Sequence, residues 1–270
     1  MRKNEIDISV IIPSYKPKSY IWQCLDSLKN QTFEKERFEI ILILNGCKEP
    51  FYSDTVNFVN ENFEGYAVKV LQTDTPGVSN ARNIGIDNAR GRYITFLDDD
   101  DYLSECFLEK MFPIAEKGII PMSNMTSFSD NDNSVQPYYV TEAFRHLYKK
   151  GVVSPLNARS YLSVCVAKLL PADLIRTNRF NTSFKIAEDC VFMFTLSKDI
   201  KAMQCSDEDA IYYRRIRESS ALTSRRSRKT KIVSGLKLIL QYNKIYFGHP
   251  FRYNFILFLT RIAGTIKNIF

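Results

Sequence analysis

No run of 18 uncharged apolar residues occurs in the 270-residue chain, so no membrane-spanning helix is expected. The six cysteines (Cys24, Cys47, Cys106, Cys165, Cys190 and Cys205) form no Cys-x-x-Cys pair and show no zinc spacing. That pattern predicts reduced thiols in a cytosolic protein. A signal-peptide pattern is missing, because Glu5 and Asp7 lead straight into an apolar strand pattern. No glycine follows that first apolar run, where Pro13-Ser14-Tyr15 stands instead. A Gly-rich phosphate loop is therefore absent, which argues against a nucleotidyltransferase on a related sheet. No internal repeat is visible. Acids are missing from one region altogether: from Arg225 to Phe270 there are ten Lys/Arg and no Asp or Glu. The net charge of +7 thus belongs to the tail, and the rest of the chain is mildly acidic. The tail offers no evident aromatic platform for stacking bases, so nucleic acid is not an expected partner.

What is present is enough apolar residue, 45%, for one large core or a core plus a small appendage. Ile8 to Ile12, Phe38 to Leu44, Ala67 to Leu71 and Tyr93 to Leu97 read as buried strands. Between them, Tyr20, Ile21, Cys24, Leu25 and Leu28 recur at helical spacing. Val56, Val59 and Phe63 suggest a second helix, and Val78 to Ala89 a third. This alternation predicts an α/β fold: a mainly parallel sheet with helices on both faces. Ligands of such sheets bind beyond the strands' carboxyl ends. Pro13-Ser14-Tyr15, Asn45-Gly46 and the acidic run after Leu97 all fall there. Leu103 to Glu116 and residues 138 to 150 read as helices, and Ser163 to Leu170 with Glu188 to Lys198 as the second half of the body. The Ser-, Asn- and Asp-rich residues 123 to 137 read as a mobile loop or a disordered spacer.

The run Asp98-Asp99-Asp100-Asp101 sets four anions side by side where a strand leaves its sheet. A divalent cation such as Mg²⁺ or Mn²⁺ relieves that repulsion and leaves positions open for a diphosphate. A solvated acidic loop capping the next helix is the other reading. Asn45 stands in an Asn-Gly turn and carries an amide that both donates and accepts. Arg82 stands at the start of a helix, placed to meet an anion or to pair with the acidic run.

Four blocks, taken in order, carry a resemblance: Ile8 to Tyr15, Gly77 to Gly85, Gly91 to Asp101 and Ala187-Glu188-Asp189-Cys190-Val191-Phe192. Together they resemble family 2 glycosyltransferases of the GT-A fold, of the type that builds bacterial surface glycans, over roughly residues 6 to 223. The resemblance implies inverting, metal-dependent transfer of a sugar from a nucleotide-sugar donor to a hydroxyl on a glycan or lipid-linked acceptor. It sets Pro13, Ser14 and Tyr15 against base and ribose, with Lys16 where Asn is usual. Asn45 replaces an Asp that reads uracil, which weakens the identification of a UDP-sugar. Arg82 would lie near the diphosphate. Asp100 would be the direct metal ligand and Asp98 a ribose or further metal contact, while Asp99 would point elsewhere. Asp189 would be the general base, with Glu188 orienting the loop or the acceptor. Arg217, in a Tyr-Arg-x-Arg-x-x-Ser segment that runs to Ser220, would touch the diphosphate from a closing loop or be a solvated basic turn. A non-catalytic nucleotide- or membrane-binding protein is disfavoured because Asp98, Asp100 and Asp189 are all present.

The boundary is expected at 224, with residues 1–224 catalytic and 225–270 a basic helical extension. In the extension, Phe255, Leu259, Ile262, Ala263, Ile266 and Phe270 share one helical face, and Thr260, Arg261, Gly264, Lys267 and Asn268 fall opposite. Basic amphipathic segments with aromatics predict peripheral contact with a membrane, here its cytoplasmic face, or packing on the catalytic body.

Overall fold

The computed structural model describes residues 5–217 and 227–269. Four apolar runs become parallel strands: β1 (Ile8–Ser14), β2 (Phe38–Asn45), β3 (Ala67–Thr73) and β4 (Tyr93–Phe96). Every residue of β1, β2 and β4 is buried, as befits strands covered on both faces. Their order in the sheet is β4-β1-β2-β3. The covering helices are α1 (Tyr20–Lys29), α2 (Phe51–Asn62) and α3 (Val78–Asn88). Ile21, Cys24, Leu25 and Leu28 form the buried stripe of α1, as their spacing requires. On α3, Gly85 lies against the sheet, where an added Cβ would meet Ile11 Cγ2 at 2.3 Å. That close approach holds α3, and Arg82 on it, against β1 and β2.

The second half runs β5 (Tyr102–Leu103), α4 (Phe107–Glu116), β6 (Ile120–Met122), β7 (Asn124–Ser129), β8 (Val135–Gln136) and α5 (Tyr139–Leu147). Then come β9 (Val152–Val153), β10 (Leu170–Pro171), α6 (Ala172–Arg176), α7 (Glu188–Leu196), β11 (Met203–Cys205) and β12 (Ile211–Ile216). β10 adds antiparallel to β4 at the edge of the main sheet. β12 pairs parallel with β7 and antiparallel with β5 in a second sheet. The polar segment 123 to 137 is therefore no loop: it contributes β7 and β8, an antiparallel hairpin. Met125, Ser127 and Phe128 are buried there, and the serine and threonine content disguises the strand. All six cysteines are free thiols.

The chain ends in a helical hairpin, α8 (Arg228–Gly248) and α9 (Phe255–Ile269). Leu257, Phe258, Thr265 and Ile269 of α9 are buried. Tyr242 and Tyr253 set their rings 5.2 Å from Phe194 of α7. The extension thus packs on the body, while Phe255, Leu259 and Ile266 stay exposed. Among the described residues, no helix is long and apolar enough to cross a membrane.

Candidate active site

Three loops meet at the carboxyl ends of β1, β2 and β4. Ser14 Oγ donates to Asp99 Oδ2 at 2.5 Å, tying the end of β1 to the acidic run. Asp99 therefore points at the first loop rather than elsewhere. Asn45 Nδ2 donates to the Ser14 carbonyl at 2.7 Å, and Asn45 Oδ1 accepts from the Gly77 N–H at 2.9 Å. An amide can do both, whereas a carboxylate could not donate to Ser14. Asn45 thus fastens the β1 end to the entry of α3, and it still lines the cavity that these loops enclose.

Arg82 is the centre of the arrangement. It is 2% exposed and lies over the Phe180 ring at 5.3 Å. Its Nη2 donates to Asp98 Oδ1 at 2.9 Å; its Nη1 donates to Asp189 Oδ1 at 2.6 Å and Glu188 Oε1 at 3.3 Å. One guanidinium so joins the acidic run after β4 to the two acids that open α7. The second oxygen of Asp189 accepts from the Cys165 N–H at 3.3 Å. Ala187, just before these acids, holds a left-handed φ of 61°, unusual for a residue with a Cβ and a recurrent feature of functional turns.

β12 clamps the acidic run from the other side. Asp101 is buried and accepts from the Tyr212 hydroxyl and the Arg215 N–H, both at 2.7 Å. Arg215 Nε donates to the Asp100 carbonyl at 2.8 Å. Arg217 Nη2 lies 2.6 Å from Asp100 Oδ2, and its Nη1 donates to the Tyr20 hydroxyl at 3.1 Å. Glu218, Ser219 and Ser220 of the same segment, and the expected boundary at 224, lie outside the described residues.

Pro13, Tyr15, Tyr20, Asp98 to Asp101, Glu188 and Arg214 also line the cavity, whose volume is about 430 Å³. Its carboxylates are only partly compensated. Burial, opposed by the Ser14 hydrogen bond, pushes the Asp99 carboxyl up to about 7. Burial and then the charge of Asp98 raise Asp100. Burial and then the charge of Asp189 push Glu188 up to about 6, against the pull of Arg82. Among the described residues, no three His, Cys, Asp or Glu side chains form a ready metal cage. A Mg²⁺ or Mn²⁺ ion shared with a diphosphate needs only one or two carboxylates and keeps several waters. The hard oxygens of Asp98 and Asp100, under mutual repulsion, fit that role.

Sequence patterning marks Pro13 to Tyr15, Asn45, Arg82, Asp98, Asp100, Glu188, Asp189 and Arg217, and the fold brings all of them to this region. It overlooks Tyr20, Tyr212 and Arg215. Of these, only the Tyr-Arg-x-Arg pattern around the last two was legible.

Residues 9–158 match the sequence model of the family described as "Glycosyl transferase family 2". The poly(ribitol-phosphate) beta-glucosyltransferase of Bacillus spizizenii is 28% identical over 76% of this chain and 32% of its own length. The uncharacterized glycosyltransferase EpsJ of Bacillus subtilis is 30% identical over 77% of this chain and 60% of its own. The chain therefore spans about a third to three-fifths of these curated relatives. The crystal structure of S. aureus TarS 1-349 in complex with UDP superposes with a TM-score of 0.68 at 22% identity, covering 97% of this chain and 71% of that one. That likeness shows the fold.

Proposed function

The chain belongs to glycosyl transferase family 2, and from that premise we propose that it transfers a sugar from a nucleotide-sugar donor to an acceptor hydroxyl, with inversion at the anomeric carbon. The observation that carries the reading is the Arg82 bridge, which ties Asp98 and Glu188 of the cavity wall to Asp189 beside them. Charge stabilisation on the donor side and a base on the acceptor side are what a single displacement needs at close quarters. Asp189, oriented by Arg82 and the Cys165 N–H, takes the proton of the acceptor hydroxyl. The acceptor oxygen bonds to the anomeric carbon as that carbon's bond to the diphosphate oxygen breaks. Asp100 and Asp98 would hold Mg²⁺ or Mn²⁺, which when bound supplies positive charge to the departing diphosphate. Arg217 and Arg215 extend that positive field from β12. Pro13, Ser14, Tyr15 and Asn45 shape the wall for base and ribose.

A UDP-sugar is the proposed donor. TarS has been crystallised with UDP and with UDP-GlcNAc, and this chain shares its fold. A bacterial surface polymer is the proposed acceptor, in line with the named relatives. Residues 1–224 form the proposed catalytic unit and 225–270 its extension. Val233, Leu236, Leu240 and Phe247 line one exposed side of α8, and Phe255, Leu259 and Ile266 one of α9. Beside the tail's lysines and arginines, these stripes support peripheral contact with an anionic membrane. There an enzyme on the cytoplasmic side would meet an acceptor that stays in the bilayer.

Incubation with a panel of nucleotide sugars and Mn²⁺, scoring nucleoside diphosphate release, tests the reading. Release from a UDP-sugar, lost on chelation, is expected. No release from any member of the panel would sink the proposal.

A further inference from the structure

Part of the polar edge of α9 turns toward the body, with Thr260 and Arg261 half-buried there. Thr260, Arg261, Gly264 and Asn268 line a second cavity, of about 560 Å³, between the hairpin and the body. Lys231 and Tyr242 of α8 line it too, as do Ala187 and Cys190 of the turn that opens α7. Glu188, between those last two, lines the first cavity. The residues on either side of the proposed base Asp189 therefore face the two spaces, Ala187 and Cys190 the second and Glu188 the first.

The hairpin wall is firmly built. Gly235 of α8 lets α9 come close, since an added Cβ would meet Ile269 Cδ1 at 2.3 Å. At the other end the Tyr246 and Phe258 rings stack at 4.4 Å. The charge of the wall is one-sided: it carries Arg261 and Lys231, and no Asp or Glu lines it among the described residues. Arg261 donates to Ser163 Oγ at 2.6 Å and to the Arg159 carbonyl at 2.7 Å, both neutral acceptors. Its Nε is buried without a partner. A half-buried guanidinium held by neutral groups favours an incoming anion, and phosphate oxygens match its fork of donors. Tyr139, Tyr242, Ser234 and Thr260 add hydroxyls suited to a polyhydroxylated ligand.

We propose that this cavity is the acceptor subsite, and that Arg261 and Lys231 bind the phosphate ester of a phosphorylated, hydroxyl-bearing acceptor whose free hydroxyl reaches Asp189. The assignment as acceptor rests on the glycosyl-transfer reading. The phosphate could belong to a polyol-phosphate polymer or to a lipid carrier.

Calorimetry on the full chain without donor tests the site. Glycerol 3-phosphate and farnesyl phosphate represent the two sources, and the tighter of them identifies which one the site reads. Glycerol at the same concentration should not bind. Arg261→Gln should weaken phosphate-ester binding about tenfold or more, as loss of a charged hydrogen bond does. Arg261→Lys, which keeps the charge but loses the fork of donors, should bind more tightly than Arg261→Gln and more weakly than wild type. Because Arg261 also ties Ser163 and Arg159, the thermal midpoint of each variant reports its folding. Lys231→Gln gives a second variant outside that tie and should weaken binding several-fold. Wild-type affinity in both charge-removing variants would overturn the proposal. So would inorganic phosphate binding as tightly as the esters, or no ester binding at all. UDP binding to the wild-type chain, measured separately, reports on the donor reading alone.

Discussion

Lys168 is fully buried, and its Nζ donates to the Tyr161 carbonyl at 3.0 Å and the Val166 carbonyl at 2.7 Å. It thereby anchors the turn whose Cys165 N–H orients Asp189. Burial pulls its ammonium down from 10.5 to about 7, against the weaker pull of Cys165 and Asp189. In the unfolded chain Lys168 is protonated below pH 10.5; in the folded chain it is protonated only below about 7. The unfolded state therefore binds more protons throughout that window, and stability rises with pH across it by about 1.4 kcal/mol per pH unit. Below the folded value the penalty is constant at about 5 kcal/mol, the energy equivalent of that gap. Lys168→Met removes the penalty and leaves two buried carbonyls without their donor, at about 1–3 kcal/mol each. At pH 6 the variant should be more stable than wild type. By pH 9 the wild-type penalty has shrunk to about 2 kcal/mol and the order should reverse. Urea unfolding of both proteins at pH 6, 7, 8 and 9 reads the difference directly. Parallel stability curves over that range would refute the argument, because they would mean Lys168 keeps the same charge in both states.

Asp189→Asn preserves shape and should leave UDP affinity near wild type while turnover falls by about 10²-fold or more, the usual contribution of a positioned base; wild-type turnover would remove Asp189 from that role. Asp100→Ala should abolish the Mn²⁺-dependent part of UDP binding in calorimetry, and undiminished metal-dependent affinity would clear Asp100 of metal ligation. The intact chain should sediment with anionic liposomes at low salt, and a chain ending at Ser224 should not. Each Lys or Arg near the surface contributes about 1 kcal/mol, so high salt should weaken the binding and the exposed apolar stripes should keep it from vanishing. An intact chain that stays in the supernatant at low salt would leave α8 and α9 as packing elements only.

The strands of the main sheet were legible because β1, β2 and β4 are continuous apolar runs whose burial needs no partner to be named. The acidic run was legible because four adjacent carboxylates are unusual wherever they fall. The partners of these groups were not. Asn45 reads locally as a turn residue, yet its two bonds go to Ser14 and Gly77, 31 and 32 positions away. Arg82 reaches Asp189 across 107 positions, a distance at which periodicity carries no information. Lys168 lies in the core, and no local pattern marks it as buried. The tail was half legible: its apolar stripe is on the exposed face, but the polar face opposite lines a cavity, because the body supplies a wall that no local pattern announces.

The clamp of β12 on the acidic run bears on how this chain is made and divided. Asp101 waits for Tyr212 and Arg215, which follow it by 111 and 114 positions, so a nascent chain can finish the parallel sheet and still lack a shaped donor pocket. A fragment cut at residue 158, where the family match ends, would retain Asp98 to Asp101 but lose both the strand that holds them and the acids that answer them. The smallest piece worth transplanting into another protein therefore runs to Arg217.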